Sequence, residues 1–184
     1  MEAILVVDID GANGWKYTPN SEMENVREAI EKTLEKARRD GKPVLFVTMP
    51  RRSFTGQEMQ LQKDSNNSEC IGCNAWDGLV DFLKHRHESE FEPVFIKKDC
   101  DAFTNKNLIE HLRNIGIDEI ALAGCFSFSC ILFTTVGAVK NGFRVKLLEK
   151  CLYPRLSTRE KASWFRLVKE EIPDADALIN ICFE

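Results

Sequence analysis

Three kinds of side chain in this sequence form a coherent reacting set. The first is a thiol. "AGCFSFSC" (123–130) puts Cys130 just after a glycine turn, at the mouth of an apolar, helix-like run. A thiol attacks as its thiolate, and a helix N-terminus or a nearby cation lowers its pKa. The expectation is a Cys130 thiol shifted downward. The second kind is a carboxylate: Asp8 and Asp10 close the apolar run that begins at Ala3. The third is an ammonium: Lys97 and Lys98 close "PVFIKK". A carboxylate beside a thiol can take its proton and return it to a leaving amine. The lysine would supply the cation. Backbone N–H groups in the turn could hold an oxyanion. Histidine is not required for this chemistry.

Such a set works only if strands deliver it to one place. The chain alternates two kinds of segment. Buried-type strands are expected at "AILVVDI" (3–9), "PVLFVTM" (43–49), "PVFIKK" (93–98), "EIALAG" (119–124), "RVKLLE" (144–149) and "ADALINI" (175–181). Helices are expected over 21–41, 76–85, 105–116, 130–142 and 157–171. Ser21–Glu24 and Ser157–Glu160 have capping-box spacing, and Gly41, Gly116 and Gly142 stand at helix stops. Strands alternating with helices of this length imply an α/β fold, with a parallel sheet covered on both faces. In such sheets ligands bind beyond the carboxyl ends of the strands. Asp8, Lys97 and Cys130 are all assigned to that edge.

The 184 residues suit one domain, 1–184, with no repeat or linker. Net charge is −4 and the basic residues are scattered, which argues against a nucleic-acid partner. No apolar run approaches the roughly 20 residues of a membrane span. "MEAILVVDID" lacks the basic segment of a secretory leader, so a cytoplasmic location is expected. Seven cysteines in a chain of this size then read as reduced thiols, not a disulfide framework.

Three segments carry a resemblance to a known family. "ILVVDID" resembles a first strand that ends in a catalytic aspartate. "VFIKKDCDAF" resembles a strand bearing a catalytic lysine, followed by a spacer and an Ala-Phe pair. "IALAGCFSFSCILFTTVGAVKNGFRVKLLEK" resembles a nucleophile segment, with glycine six residues before the cysteine. In their order and spread these are similar to the isochorismatase-like cysteine hydrolases, a family that includes nicotinamidases and N-carbamoylsarcosine amidases. The resemblance implies a three-layer α/β/α sandwich around a mainly parallel six-stranded, Rossmann-like sheet. It implies Cys130 as nucleophile, Asp8 as general base and acid, and Lys97 as the residue that orients Asp8 and stabilises the thiolate. Lys97 is preferred to Lys98 by its distance from Phe103, and neighbouring strand residues point to opposite faces. A cis peptide between Cys125 and Phe126 is implied, with the amides of Phe126 and Cys130 as oxyanion hole. A small-molecule substrate, no cofactor and a homo-oligomer (dimer or tetramer) follow from the same resemblance. The activity implied is metal-free hydrolysis of a small amide or N-carbamoyl compound through a thioester.

The departures from the family pattern also carry information. Ser127 and Phe128 stand where the family often has threonine and an acidic residue. Asp10 stands where it often has glutamine; it is either a turn former or a carboxylate near substrate. Nicotinamidases carry an Asp-x-His-x-x-His metal site after the second strand, whereas here the segment reads "TMPRRSFTG". No metal ligand set is therefore assigned. Trp15, Trp76 and Phe126 are candidates to line a pocket, or else to pack in the core or a subunit interface. Arg51 is placed to hold a substrate carboxylate, or else is a solvated loop charge. Cys70 and Cys73 form a C-x-x-C, but His85 and His87 downstream lack zinc-finger spacing and no strand precedes the pair. A second reading stays open: a non-catalytic binding or regulatory protein, with the rings of Phe126 and Phe128 filling the pocket.

Overall fold

The computed structural model describes residues 1–9, 21–48, 92–173 and 181–184. The loop 50–73, the helix 76–85 and the residues Asp10, Trp15, Arg51, Cys70, Cys73 and Trp76 lie outside the described residues. So do His85 and His87.

The six described strands are β1 (Glu2–Val7), β2 (Val44–Thr48), β3 (Val94–Ile96), β4 (Glu119–Cys125), β5 (Arg144–Tyr153) and β6 (Ile181–Phe183). They form one sheet in the order β3-β2-β1-β4-β5-β6, and every pairing is parallel. The described helices are α1 (Ser21–Arg39), α2 (Lys106–Asn114), α3 (Leu132–Lys140) and α4 (Thr158–Glu171). None is long and apolar enough to cross a membrane.

The side-chain alternation of β1 organises the layers. Ala3, Leu5 and Val7 enter one apolar cluster, with Leu108 and Leu112 of α2, Val136 of α3 and Trp164 of α4. Ile4 and Val6 enter the other, with Val26, Ile30 and Leu34 of α1. A strand with both faces buried must be apolar at every position, which explains the unbroken run 3–7. The result is the three-layer α/β/α sandwich expected from the sequence.

Several boundaries differ from the expectation. Strand β5 continues to Tyr153, because a register shift opposite Leu122–Gly124 lets Leu152 and Tyr153 pair with Gly124 and Cys125. That irregularity breaks the period-two pattern from which the end was read. Strand β6 is Ile181–Phe183, so only Ile181 of the expected 175–181 strand lies in it, and 174–180 fall outside the described residues. Helix α3 starts at Leu132, after a π-helical turn at Ser127–Ile131 that contains Cys130. Ser157 caps α4 with a complete capping box through Glu160.

Candidate active site

The order of strands reverses between β1 and β4, and open α/β sheets bind ligands in the crevice at that switch point. Asp8 follows β1 directly. Its φ is 52°, in the left-handed region where aspartate is better tolerated than most residues. Both neighbouring strands hold it there. The Asp8 N–H donates to the Val47 carbonyl of β2 at 2.8 Å. The Asp8 carbonyl accepts from the Cys125 thiol of β4, also at 2.8 Å.

Gly124 makes this approach of β1 and β4 possible. Its φ is +119°, and a Cβ at this position would stand 1.9 Å from the Val7 carbonyl oxygen. No side chain fits between the strand ends, so the glycine before the thiol turn is a steric requirement.

Lys97 follows β3, where its N–H donates to the Thr48 carbonyl at 3.0 Å. Its side chain is fully buried, whereas Lys98 is exposed. The Lys97 Nζ lies 2.7 Å from Asp8 Oδ2 and donates to the carbonyls of Asp99 (3.1 Å) and Cys100 (3.4 Å). Burial alone would pull the lysine pKa down. The charge and hydrogen bond of Asp8, together with Cys130, outweigh burial and hold it above the ordinary value.

The turn after β4 is anchored from several sides. The Cys125–Phe126 peptide is cis, as is Tyr153–Pro154. The Ser127 hydroxyl donates to the Pro154 carbonyl at 2.6 Å, and the Trp164 indole donates to the Ser127 carbonyl at 2.9 Å. The Phe126 carbonyl accepts from the amides of Ser129 and Ile131. The ring of Phe126 sits 5.9 Å from that of Tyr153 and is 37% exposed; Phe128 is 39% exposed.

Cys130 is 9% exposed and hydrogen-bonded to both Asp8 and Lys97. Thiol, carboxylate and ammonium, drawn from three different strand ends, thus meet in one buried cluster. The expected downward shift of the thiol is corrected by the structure. Burial, then the charge of Asp8 and the hydrogen bond to it, push the Cys130 thiol up to about 11, against the opposing pull of Lys97. The helix-end argument fails because Cys130 sits inside a π-turn and beside a carboxylate. At neutral pH the cluster therefore holds a thiol donating to a carboxylate that an ammonium flanks.

This arrangement can move a proton from sulfur to Asp8 while sulfur attacks an electrophilic carbon. A sequence profile described as "Isochorismatase domain" matches residues 2–173. The chain belongs to the isochorismatase family. Maleamate amidohydrolase of Pseudomonas putida is 34% identical over 74 residues, which are 40% of this chain and 35% of that relative. The match thus spans about a third of the relative's length. The N-carbamoylsarcosine amidase from Thermoplasma acidophilum superposes with a TM-score of 0.69 at 20% identity, covering 100% of this chain and 95% of that one. The pyrazinamidase/nicotinamidase from Streptococcus mutans gives 0.70 at 16% identity, with both chains covered completely. At such identities the structural likenesses speak for the isochorismatase-family fold.

Sequence reasoning passed over the groups that brace the cluster. The Cys100 thiol lies 3.3 Å from the Ser129 hydroxyl, itself 4.0 Å from Cys130 Sγ. The Asp101 carboxylate accepts from the Phe103 amide at 2.8 Å and fills the space left by Gly137 on α3. Thr134 is fully buried in an otherwise apolar stretch. Two adjacent threonines there, Thr134 and Thr135, were the available signal.

Proposed function

We propose that this isochorismatase-family hydrolase cleaves the C–N bond of a small amide or N-carbamoyl compound through a thioester on Cys130, without a metal ion. The observation that carries the reading is the convergence of Asp8, Lys97 and Cys130 at the switch point. The amidase names of the similar proteins support the bond type. The lack of histidine in "TMPRRSFTG" supports the metal-free form.

In the proposed cycle, Cys130 Sγ attacks the carbonyl carbon as its proton passes to Asp8. The amides of Phe126 and Cys130 hold the oxyanion. Asp8 then gives that proton to the leaving nitrogen as the C–N bond breaks, leaving a thioester. Water attacks next and yields a proton to Asp8. The Cys130 sulfur leaves and is reprotonated from Asp8. A thiol of high pKa suits this cycle, because proton and nucleophile move together and no free thiolate has to persist. Lys97 holds Asp8 in place through their ion pair and stabilises charge that reaches sulfur. Asp10, Trp15, Arg51, Trp76 and Phe126 remain the proposed substrate contacts.

Nothing favours the non-catalytic alternative. The deciding experiment is ammonia release from a panel of small amides, ureido acids and nicotinamide, comparing wild type with Cys130→Ala. Release that disappears in the variant is the expected result. Equal release by Cys130→Ala would overturn the mechanism.

A further inference from the structure

We infer that Thr134 is a positioning residue that couples the Cys130 segment to the Lys97 ammonium. Thr134 stands one helical turn after Cys130, on α3, with no exposure to solvent. Its hydroxyl accepts from the Ala102 amide at 3.1 Å and donates to the Cys100 carbonyl at 3.4 Å. That same carbonyl, at 3.4 Å, accepts from Lys97 Nζ. One oxygen thus receives the lysine from the β3 side and the threonine from the α3 side. A hydroxyl can serve both directions because it is donor and acceptor at once.

The neighbouring threonine provides an internal contrast. Thr135 is equally buried, but its hydroxyl donates to the Ile131 carbonyl, at the end of the π-turn that leads into α3, at 2.8 Å. That bond leaves the 99–102 segment untouched. Two isosteric residues, side by side, therefore separate a positioning role from a packing role. Further contacts join the same surfaces: Cys100 with Ser129, and Asp101 with the helix at Gly137. Of these, only the Thr134 contact touches a carbonyl that Lys97 also uses. Valine at 134 would keep the volume, leave the buried Ala102 N–H without its acceptor and free the Cys100 carbonyl to move.

The inference rests on the proposed role of Lys97 beside Cys130, so its test has a readout independent of substrate. Thr134→Val, Thr134→Ser and Thr135→Val are compared with wild type. The rate of Cys130 alkylation by iodoacetamide is followed against pH by peptide mass spectrometry, which separates Cys130 from the other thiols. Turnover is measured on any substrate the amide panel yields. For Thr134→Val the alkylation midpoint is expected to move up, because a displaced ammonium stabilises the thiolate less. Its kcat should fall about 10–100-fold with KM within about threefold, as for a small misplacement of reacting groups. Thr134→Ser should restore both, and Thr135→Val should resemble wild type. If Thr134→Val fails to fold, Thr134→Ala against Thr134→Ser carries the same comparison. An unshifted midpoint in the folded Thr134→Val variant (or in Thr134→Ala where valine fails to fold), or identical losses in Thr134→Val and Thr135→Val, would overturn the inference. Turnover that survives Cys130→Ala would sink the proposed function alone, leaving the alkylation result to judge Thr134.

Discussion

Asp8 and Lys97 form an ion pair at 2.7 Å with side chains 2% and 0% exposed. Removing one partner of a buried pair strands the other charge, at a cost of about 3–5 kcal/mol. Asp8→Asn and Lys97→Met should therefore lose stability as well as activity. Cys130→Ala removes one sulfur and should cost on the order of 1 kcal/mol. Urea unfolding at neutral pH measures all three. A loss below about 1 kcal/mol in Lys97→Met would mean that water reaches the pair. For this reason Cys130→Ala is the cleaner test of mechanism.

The raised Cys130 thiol predicts its reactivity. With the thiol pushed up to about 11, alkylation at pH 7 should be slower than for an exposed thiol and should rise through the alkaline range. Burial is the largest cause, and the Asp8 charge comes next. In Asp8→Asn the charge is gone while burial and the opposing pull of Lys97 stay, so the midpoint should move down. A Cys130 that alkylates rapidly at pH 6 would contradict the neutral-thiol resting state.

Asp101 predicts a pH dependence of stability. Burial first, and then the charge of Asp99, raise its carboxyl from 3.8 to about 6. The folded protein thus holds this proton more tightly than the unfolded chain. The associated stability is fully present below the unfolded value and is lost as pH rises through about 6. Asp101→Asn keeps an oxygen to accept from Phe103 and cannot ionise. Its thermal midpoint, relative to wild type, should therefore improve between pH 4 and pH 8. An unchanged difference across that range would show that Asp101 titrates as an ordinary aspartate.

Two glycines should respond differently to alanine. At Gly124 the added Cβ meets main chain, at 1.9 Å from the Val7 oxygen, and φ is +119°. Gly124→Ala should cost about 3 kcal/mol or more and separate the strand ends that carry Asp8 and the thiol turn. At Gly137 the Cβ meets the carboxylate of Asp101, a side chain that can swing away. Gly137→Ala should cost about 1–3 kcal/mol and weaken the pH effect of Asp101. Thermal unfolding of the two variants at pH 5 and pH 8 checks both points, and equal losses would contradict the contrast.

Much of this protein is written locally. Unbroken apolar runs such as 3–7 and 120–125 announce strands buried on both faces, since the period of a strand lies within a few residues. The residues that end those strands, Asp8, Lys97 and the Gly124 turn, were legible for the same reason, as was the preference for Lys97 over the exposed Lys98. The continuation of β5 to Tyr153 was not, because a bulge interrupts the alternation. The state of Cys130 was not either. Its neighbouring residues suggest a helix start that would acidify it, whereas its pKa follows from burial and from a carboxylate 122 positions earlier in the chain (130 − 8). Thr134 looked like one more residue of an apolar helix until a carbonyl shared with Lys97 gave its hydroxyl a task. The sequence by itself determined which groups stand at the strand ends, because side-chain period is a short-range property. Only the tertiary structure decided their protonation and mutual bracing, because desolvation and electrostatic coupling depend on what distant segments bring within a few ångströms.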